Sequence, residues 1–412
     1  MTDRIVIAGG GIAGLCAALA LIQRGFQVTI CEQAEVLRET GAGVQISPNG
    51  TRVLASLGVL DTLRSLAVEP KAKMIRLWSS GESWPLFDLG TTSVTDYGFP
   101  YLMIHRGDLQ SVLADAVMKA DSDAIRRGAE VVDIENGVDC AVVTLADGET
   151  IAAQLVIGAD GIHSIVRTTT FGLAPAAFTG CMAWRGVIPA SRLPDHLRLD
   201  VGVNWVGPGR HVVTYPLRRG ELMNFVGVVE RDGWETESWT AKGTHADCAA
   251  DFAGWHPDVH VLIDTIDVHY RWALMSRPPM QRWSAGRVVL MGDACHPMLP
   301  FMAQGAVMAI EDAVTLARCL DAHRNDHVMA LTAYEAARVS RANRCVVAAE
   351  RNRDIFHNDR LMHRQDAQHY VATQWNEAKV RDRYDWLFSF DAVDAPLSDV
   401  DSAISRKPGA AG

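Results

Sequence analysis

The chain has 412 residues, 48% of them hydrophobic and 21% charged, which suits a globular enzyme of two or three folding units of roughly 100–200 residues each. With 39 basic and 49 acidic side chains the net charge is −10, a balance that speaks against nucleic acid or an anionic membrane as partner, since both select clustered Lys and Arg. The eight Cys are scattered without C-x-x-C spacing, so a zinc layout and a paired redox motif are excluded and a reduced, cytoplasmic protein is expected.

No run of about 18 apolar residues marks a membrane span, and residues 1–4 lead into the first strand without a secretory pattern. Residues 4–8 read as a buried strand, short and β-branched. A helical pattern runs from Ile12 to Gln23, with Gly25 as its stop, and a second strand from Val28 to Cys31 ends at Glu32. These pieces form a β-α-β unit. Near residues 143–158, two apolar strands flank Ala146-Asp147-Gly148, a hairpin turn signal. Residues 180–230 alternate, as in Val212 to Pro216 and Leu222 to Val229, and predict a separate antiparallel sheet. Arg287 to Met291 returns to the buried parallel type; residues 303–321 and 328–360 then read as helices, the second charge-rich, and the tail after Leu397 as loose. The His-rich stretch from His357 to His369 lacks metal-ligand spacing and reads as a charged helix face.

The most specific local signal is Gly9-Gly10-Gly11-Ile12-Ala13-Gly14, which follows a strand and opens a helix. Gly9 permits the tight turn, Gly11 lets the backbone approach a pyrophosphate, and Gly14 allows close helix–strand packing. The helix end supplies unpaired N–H donors to the pyrophosphate. Glu32, 18 residues after Gly14, is placed to accept both ribose hydroxyl protons. This motif alone does not choose between FAD and NAD.

Two more motifs make that choice. Val156-Ile157-Gly158-Ala159-Asp160-Gly161-Ile162-His163-Ser164 follows a strand and leads to Arg167. Gly292-Asp293-Ala294-Cys295-His296-Pro297 follows another and leads to a helix opening near Gln304-Gly305. The trio resembles the group A flavoprotein aromatic hydroxylases, the family of salicylate, 3-hydroxybenzoate, 4-hydroxybenzoate and 6-hydroxynicotinate hydroxylases. The likeness runs from Ile5 to about Arg353, and the segments Gly41-Ala42-Gly43-Val44-Gln45-Ile46-Ser47-Pro48-Asn49 and His105-Arg106-Gly107-Asp108-Leu109 share it.

The resemblance implies an α/β fold: a Rossmann-like FAD-binding domain of the glutathione-reductase and p-hydroxybenzoate-hydroxylase type, an inserted antiparallel-sheet substrate domain, and C-terminal helices. Residues 1–75, 100–178 and 280–340 would form the first, 76–99 and 179–279 the second, and 341–412 the third. It implies FAD as cofactor, NADH or NADPH as reductant, O2 as co-substrate, and a monomer or homodimer whose other partner is a small aromatic acid. Gly9, Gly11, Ile12, Ala13, Gly14, Glu32, Gln33 and Val44 are then cofactor-binding. Arg106 would contact the phosphate-bearing portion, Asp160 the pyrophosphate and the pyridine nucleotide, and Asp293 a ribityl hydroxyl. Gly305 and Ala306 open the helix whose N-terminus would face the flavin's pyrimidine edge. A second G-x-G-x-x-G is missing, which argues against a separate NAD domain, and no G-x-S-x-G elbow is present.

In such enzymes a flavin C4a-hydroperoxide transfers oxygen to an electron-rich ring, and a base that deprotonates a phenol assists. His211 and Tyr215 lie on one predicted strand, on one face by period two, about 13 Å apart along it. The segment resembles that of the 3-hydroxybenzoate and 6-hydroxynicotinate enzymes. His211 is expected to take the phenolic proton and Tyr215 to bind the hydroxyl or carboxylate end. Gln45, Pro300 and Gln304 are candidate substrate contacts. Gln45 stands where the nicotinate-type enzymes have a His, and Pro300 where the 3-hydroxybenzoate type has a Gln. Arg185 is either a carboxylate holder or an exposed sheet arginine. The expected reaction is hydroxylation of a salicylate- or 3-hydroxybenzoate-like acid. The alternatives are a pyridine carboxylate such as 6-hydroxynicotinate as substrate, an FAD dehydrogenase without oxygen transfer, or a flavin-bearing binding protein.

Overall fold

Ile5, Val6 and Ile7 are sealed from solvent because their strand, Arg4–Ala8, lies inside a sheet rather than at its edge. The computed structural model describes residues 4–36, 42–172, 175–233 and 241–397; the expected loose tail after Leu397, and Gly41 of the second glycine segment, lie outside them. The six-stranded sheet runs in the spatial order Ser284–Ala285, Val288–Leu290, Leu155–Gly158, Arg4–Ala8, Gln27–Glu32, Ile125–Arg127. Its pairs are parallel except the first. All three glycine motifs therefore leave the same end of adjacent parallel strands, where ligands bind in open α/β sheets. The helix Ile12–Ile22 is buried on almost every side and packs against Gly305–Ala322, which explains its Leu- and Ala-rich, barely amphipathic sequence. The Asp147-Gly148 turn joins Ala141–Leu145 to Thr150–Ala153, with Gly148 at φ +88.

The second sheet has seven strands in the order Tyr270–Ser276, Ala177–Pro189, Leu222–Glu230, Arg210–Leu217, Val201–Gly207, Ala72–Leu77, Ser83–Asp88. It differs from the expected purely antiparallel sheet in one place: Val201–Gly207 and Ala72–Leu77 are parallel. Ala72–Leu77 comes from an earlier excursion of the chain and is not hairpin-linked to its neighbour, so nothing forces the pair to be antiparallel. That strand also straddles the expected boundary at residue 75.

Alternation divides the side chains of this sheet between two cores. Ala183, Val206, Val213, Tyr215 and Val228 join the large core shared with the nucleotide-binding half. Trp184, Trp205, Val212 and Phe225 join a smaller core with Phe252, Val259 and Leu262, beneath the helices His245–Asp251 and Pro257–Asp264. The 30-residue helix His327–Phe356 follows. Its charge-rich sequence is partly interior: Arg338 is fully buried, paired to Glu311 and Asp312.

Candidate active site

At the fingerprint, an added Cβ on Gly14 would lie 2.0 Å from the Gly9 carbonyl oxygen, so only glycine lets the helix press against the loop. Gly9 itself sits at φ +102. Gly11 is the N-cap of Ile12–Ile22, makes no side-chain cap bond, and has open space where its Cβ would be. The N–H groups of Ile12, Ala13 and Gly14 thus stand at a helix end in need of an acceptor, which a pyrophosphate supplies. Glu32 accepts from the N–H of Gly10 at 2.7 Å and of Ala34 at 2.8 Å. Two carboxylate oxygens retain lone pairs for ribose hydroxyls after that, and Gln33 is exposed alongside.

Arg106 opens the helix Arg106–Ala120, and its backbone N–H donates to the Ala42 oxygen at 2.8 Å. This fixes the helix start beside the strand Gly43–Ile46, where Val44 is half-buried. Asp160 is turned toward its own helix: Oδ2 accepts from the Val166 N–H at 3.1 Å, in the first turn of Ile165–Phe171. Its Oδ1 is buried with no partner among the described residues, and burial pushes the carboxyl upward. Asp293 is exposed in the short turn Gly292–Ala294, and its Oδ1 would lie 3.9 Å from a Cβ on Gly305. The helix Gly305–Ala322 has no side-chain cap bond either; the turn before it is made by Ala303 at φ +53. Its first residues, Gly305 and Ala306, are half-buried. Two uncapped helix ends, an open glycine cradle, an orphaned carboxylate oxygen and an exposed aspartate make a donor and acceptor set that fits FAD.

Facing this cradle is one side of the seven-stranded sheet. Asn204, Val213, Val226 and Arg185 are cross-strand neighbours in one row. His211 lies in the row on one side, and Tyr215, paired with Asn224, in the row on the other. Val213 and Val226 are only half-buried, so they form an apolar floor between polar residues. Tyr215 packs on Gly43, where a Cβ would come within 2.5 Å of its ring, and Asn224 accepts from the Gly43 N–H at 2.8 Å. Both contacts pin the sheet to the cofactor half.

The Tyr215 end is a buried polar chain. Lys73 Nζ donates to Tyr101 Oη at 3.2 Å, Tyr101 Oη donates to Gln45 Oε1 at 2.8 Å, and Gln45 in turn bonds Tyr215. Burial lowers the Lys73 ammonium to about 8. Burial pushes the Tyr215 phenol up, opposed by Arg185 and Gln45. Arg185 lies 4.6 Å over the Trp272 ring and is buried, not an exposed sheet arginine. Gln45 is thereby bound to Tyr101 and Tyr215, and would reach a substrate through Tyr215.

The His211 end is different. Its Nδ1 lies 2.7 Å from His357 Nε2, and His357 Nδ1 lies 2.8 Å from Glu230 Oε1. Phe301 packs edge-on to the His211 ring at 5.0 Å. Burial, then the neighbouring His357, drive His211 well below its ordinary value, so it is a neutral imidazole. His357 is not part of a charged surface face as expected; it is buried at the end of the long helix.

The candidate contact Gln304 is buried and turned inward. Its Nε2 donates to Ser47 Oγ at 2.9 Å and its Oε1 accepts from Asn49 at 3.3 Å, so the side chain ties the turn before Gly305–Ala322 to the segment at Ser47. The turn at Ala303 directs it there, while Pro300 remains exposed. The structure also gathers Cys295, His296 and Asp312, which spacing did not suggest. That carboxylate already accepts from His296, Gly292 and Arg338. Sequence reasoning missed Lys73, Tyr101, Asn204 and His357; alternation along Ala72–Leu77 was the one signal, and it could have marked Lys73.

A family model described as FAD binding domain matches residues 2–349. The 3-amino-4-hydroxybenzoate 2-monooxygenase of Streptomyces platensis is 37% identical over 392 residues, covering 95% of this chain and 96% of that one. The 6-hydroxynicotinate 3-monooxygenase of Pseudomonas fluorescens is 36% identical over 346 residues, covering 83% and 89%. Among solved structures, HpxO of Klebsiella pneumoniae complexed with FAD and uric acid has a TM-score of 0.80 at 28% identity, covering 94% and 97%. The chain belongs to the FAD-binding family of flavoprotein aromatic hydroxylases. Within it, the protein is an FAD-dependent aromatic monooxygenase that uses NAD(P)H and O2.

Proposed function

We propose that the protein hydroxylates a small phenolic aromatic acid, salicylate- or 3-hydroxybenzoate-like. In this reading His211 takes the phenolic proton, while Tyr215 and Arg185 hold the carboxylate. The observation that carries it is the polarity of one sheet face: a neutral imidazole at one end, a phenol at the other, and between them half-buried Val213 and Val226 with the Arg185 guanidinium in their row. Strand geometry separates His211 from Tyr215 by about 13 Å, enough for a substituted ring to lie between their side chains. The relatives named above act, by their names, on hydroxylated aromatic or heteroaromatic acids.

Bound FAD, reduced by NAD(P)H, supplies the activated oxygen. The protein's own part is to bind, orient and keep dry. Arg185, held against Trp272, matches a carboxylate by charge and shape. The two valines, Phe301 and Pro300 offer apolar surface that excludes water. A deprotonated phenol is the better nucleophile, and the neutral His211 can accept its proton. Among the described residues no helix is long and apolar enough to cross a membrane; with all eight cysteines free, a reducing, cytoplasmic setting is the natural one.

The test is a screen of hydroxylated benzoates and 6-hydroxynicotinate for stimulated NADH oxidation, oxygen uptake and a product carrying label from isotopic O2. One acid should give product close to stoichiometric with NADH. NADH oxidation that never places oxygen in a ring would overturn the reading in favour of a dehydrogenase.

A further inference from the structure

A base sealed inside a protein turns over only if its proton can leave. His211 is 2% exposed, with Phe301 and Phe356 packed against its ring at 5.0 and 5.4 Å. The one polar contact of its ring among the described residues is to His357. His357 contacts Glu230 in turn, and the two side chains are 2% and 47% exposed. The line therefore begins at the sheet face and ends in water.

We propose that His357 and Glu230 are positioning residues that set the tautomer of His211 and conduct the phenolic proton from it to solvent. The proposal rests on the reading of His211 as the base.

The tautomers follow from what each group can do. Glu230, ionised, only accepts, so His357 must donate from Nδ1. The Nε2 of neutral His357 is then an acceptor, and His211 must donate to it from Nδ1. That leaves the lone pair of His211 on Nε2, which has no partner among the described residues. This is the form a base needs. When the substrate hydroxyl gives its proton to Nε2, the Nδ1 proton passes to His357 Nε2, and the His357 Nδ1 proton passes to Glu230 and on to water. One O–H bond breaks, each imidazole ends with the number of protons it began with, and the substrate keeps the negative charge.

The surroundings favour this direction. His357 is the C-cap of a 30-residue helix, and its own N–H is bonded back to the Arg353 oxygen, which holds the ring in place. The hydrogen bond from His357 holds the Glu230 carboxyl below its ordinary range, with Arg353 a further positive neighbour, so it is ionised at neutral pH. Burial makes His211 a poor place to store a proton. The chain trace fixes the line as well: the Gly209 N–H donates to the His357 oxygen at 3.1 Å, and the Glu230 N–H to the Gly209 oxygen at 2.9 Å. One hairpin turn, with Gly209 at φ +64, thus holds both partners.

The experiment follows proton release on binding of the phenolic acid identified by the screen, by stopped flow with a pH indicator, alongside turnover. Glu230→Gln keeps an acceptor for His357 but cannot take the proton. It should slow release and hydroxylation about 10-fold, leave FAD content unchanged, and recover when formate is added as a diffusible base. His357→Phe should slow both and resist formate. If Glu230→Gln is slow and formate does not help, Glu230 is only structural and the relay is wrong. If both variants match wild type while His211→Ala is impaired, the relay falls and the base survives. If His211→Ala also matches wild type, the base reading falls with it. Should His357→Phe fail to fold, the formate response of Glu230→Gln still decides.

Discussion

Two buried polar networks meet the long helix His327–Phe356, and they are built to opposite ends. Near its middle, Arg338 gives Nε to Asp312 at 2.7 Å and Nη1 to Glu311 at 2.5 Å, and Arg341 adds two bonds to Glu311. Asn49, His296 and the Gly292 N–H take up remaining carboxylate lone pairs. Two cations thus answer two carboxylates, and no lone pair is offered outward. At the helix's end, His357 joins His211 to Glu230 with one ring nitrogen of His211 unpartnered among the described residues and the far end in water. A network closed on itself holds three segments of chain in one arrangement. A network open at both ends can pass something through. The first is the frame that fixes where the flavin-facing helix Gly305–Ala322 begins; the second lies where chemistry needs an exit.

That contrast can be broken in four places. The largest effect is expected from Arg338→Met, which strands part of two buried carboxylates and should cost about 3–5 kcal/mol of stability, read by denaturant titration of the FAD-loaded protein. His211→Ala should leave the fold and FAD content intact but slow ring hydroxylation about 100-fold; equal loss of cofactor would make the open network structural too. An acid titration separates the two next. Burial raises the Asp312 carboxyl, but His296 and Arg338 outweigh it and hold it at about 2. Its folded value lies below its unfolded one, so its stabilisation is present above the unfolded value and is lost as pH falls through about 2. Unfolding free energy should drop by about 2 kcal/mol over that window, and Asp312→Asn should flatten the slope. The smallest effect concerns the carboxylate end: Arg185→Met should raise KM for the acid about tenfold, near 1.4 kcal/mol, with kcat little changed. A fall in kcat alone would assign Arg185 to the reaction itself.

Much of the cofactor half was legible because its signals are local. Gly9 and Gly14 are where a left-handed φ and a helix packed onto a loop leave room for no side chain, and such demands are written in consecutive residues. Period two likewise put His211 and Tyr215 on one face, and both lie on the side of the sheet that meets the cofactor half. The loss came where side chains choose partners. Gln304 looked available from its place beside Pro300, yet it turned inward to Ser47 and Asn49, more than 250 residues away in sequence. Arg338, in a stretch legible only as a charge-rich helix, found its partners in two acidic residues of another helix.

The sequence by itself determined the α/β class, the three motifs that wrap FAD and the strand that bears the candidate base, because these depend on backbone conformation and alternation among neighbours. Only the tertiary structure decided which polar groups are sealed and what they face. His357 follows His211 by 146 residues and Glu230 by 127. Nothing in the intervening chain records their meeting, which results from a helix end docking against a hairpin turn.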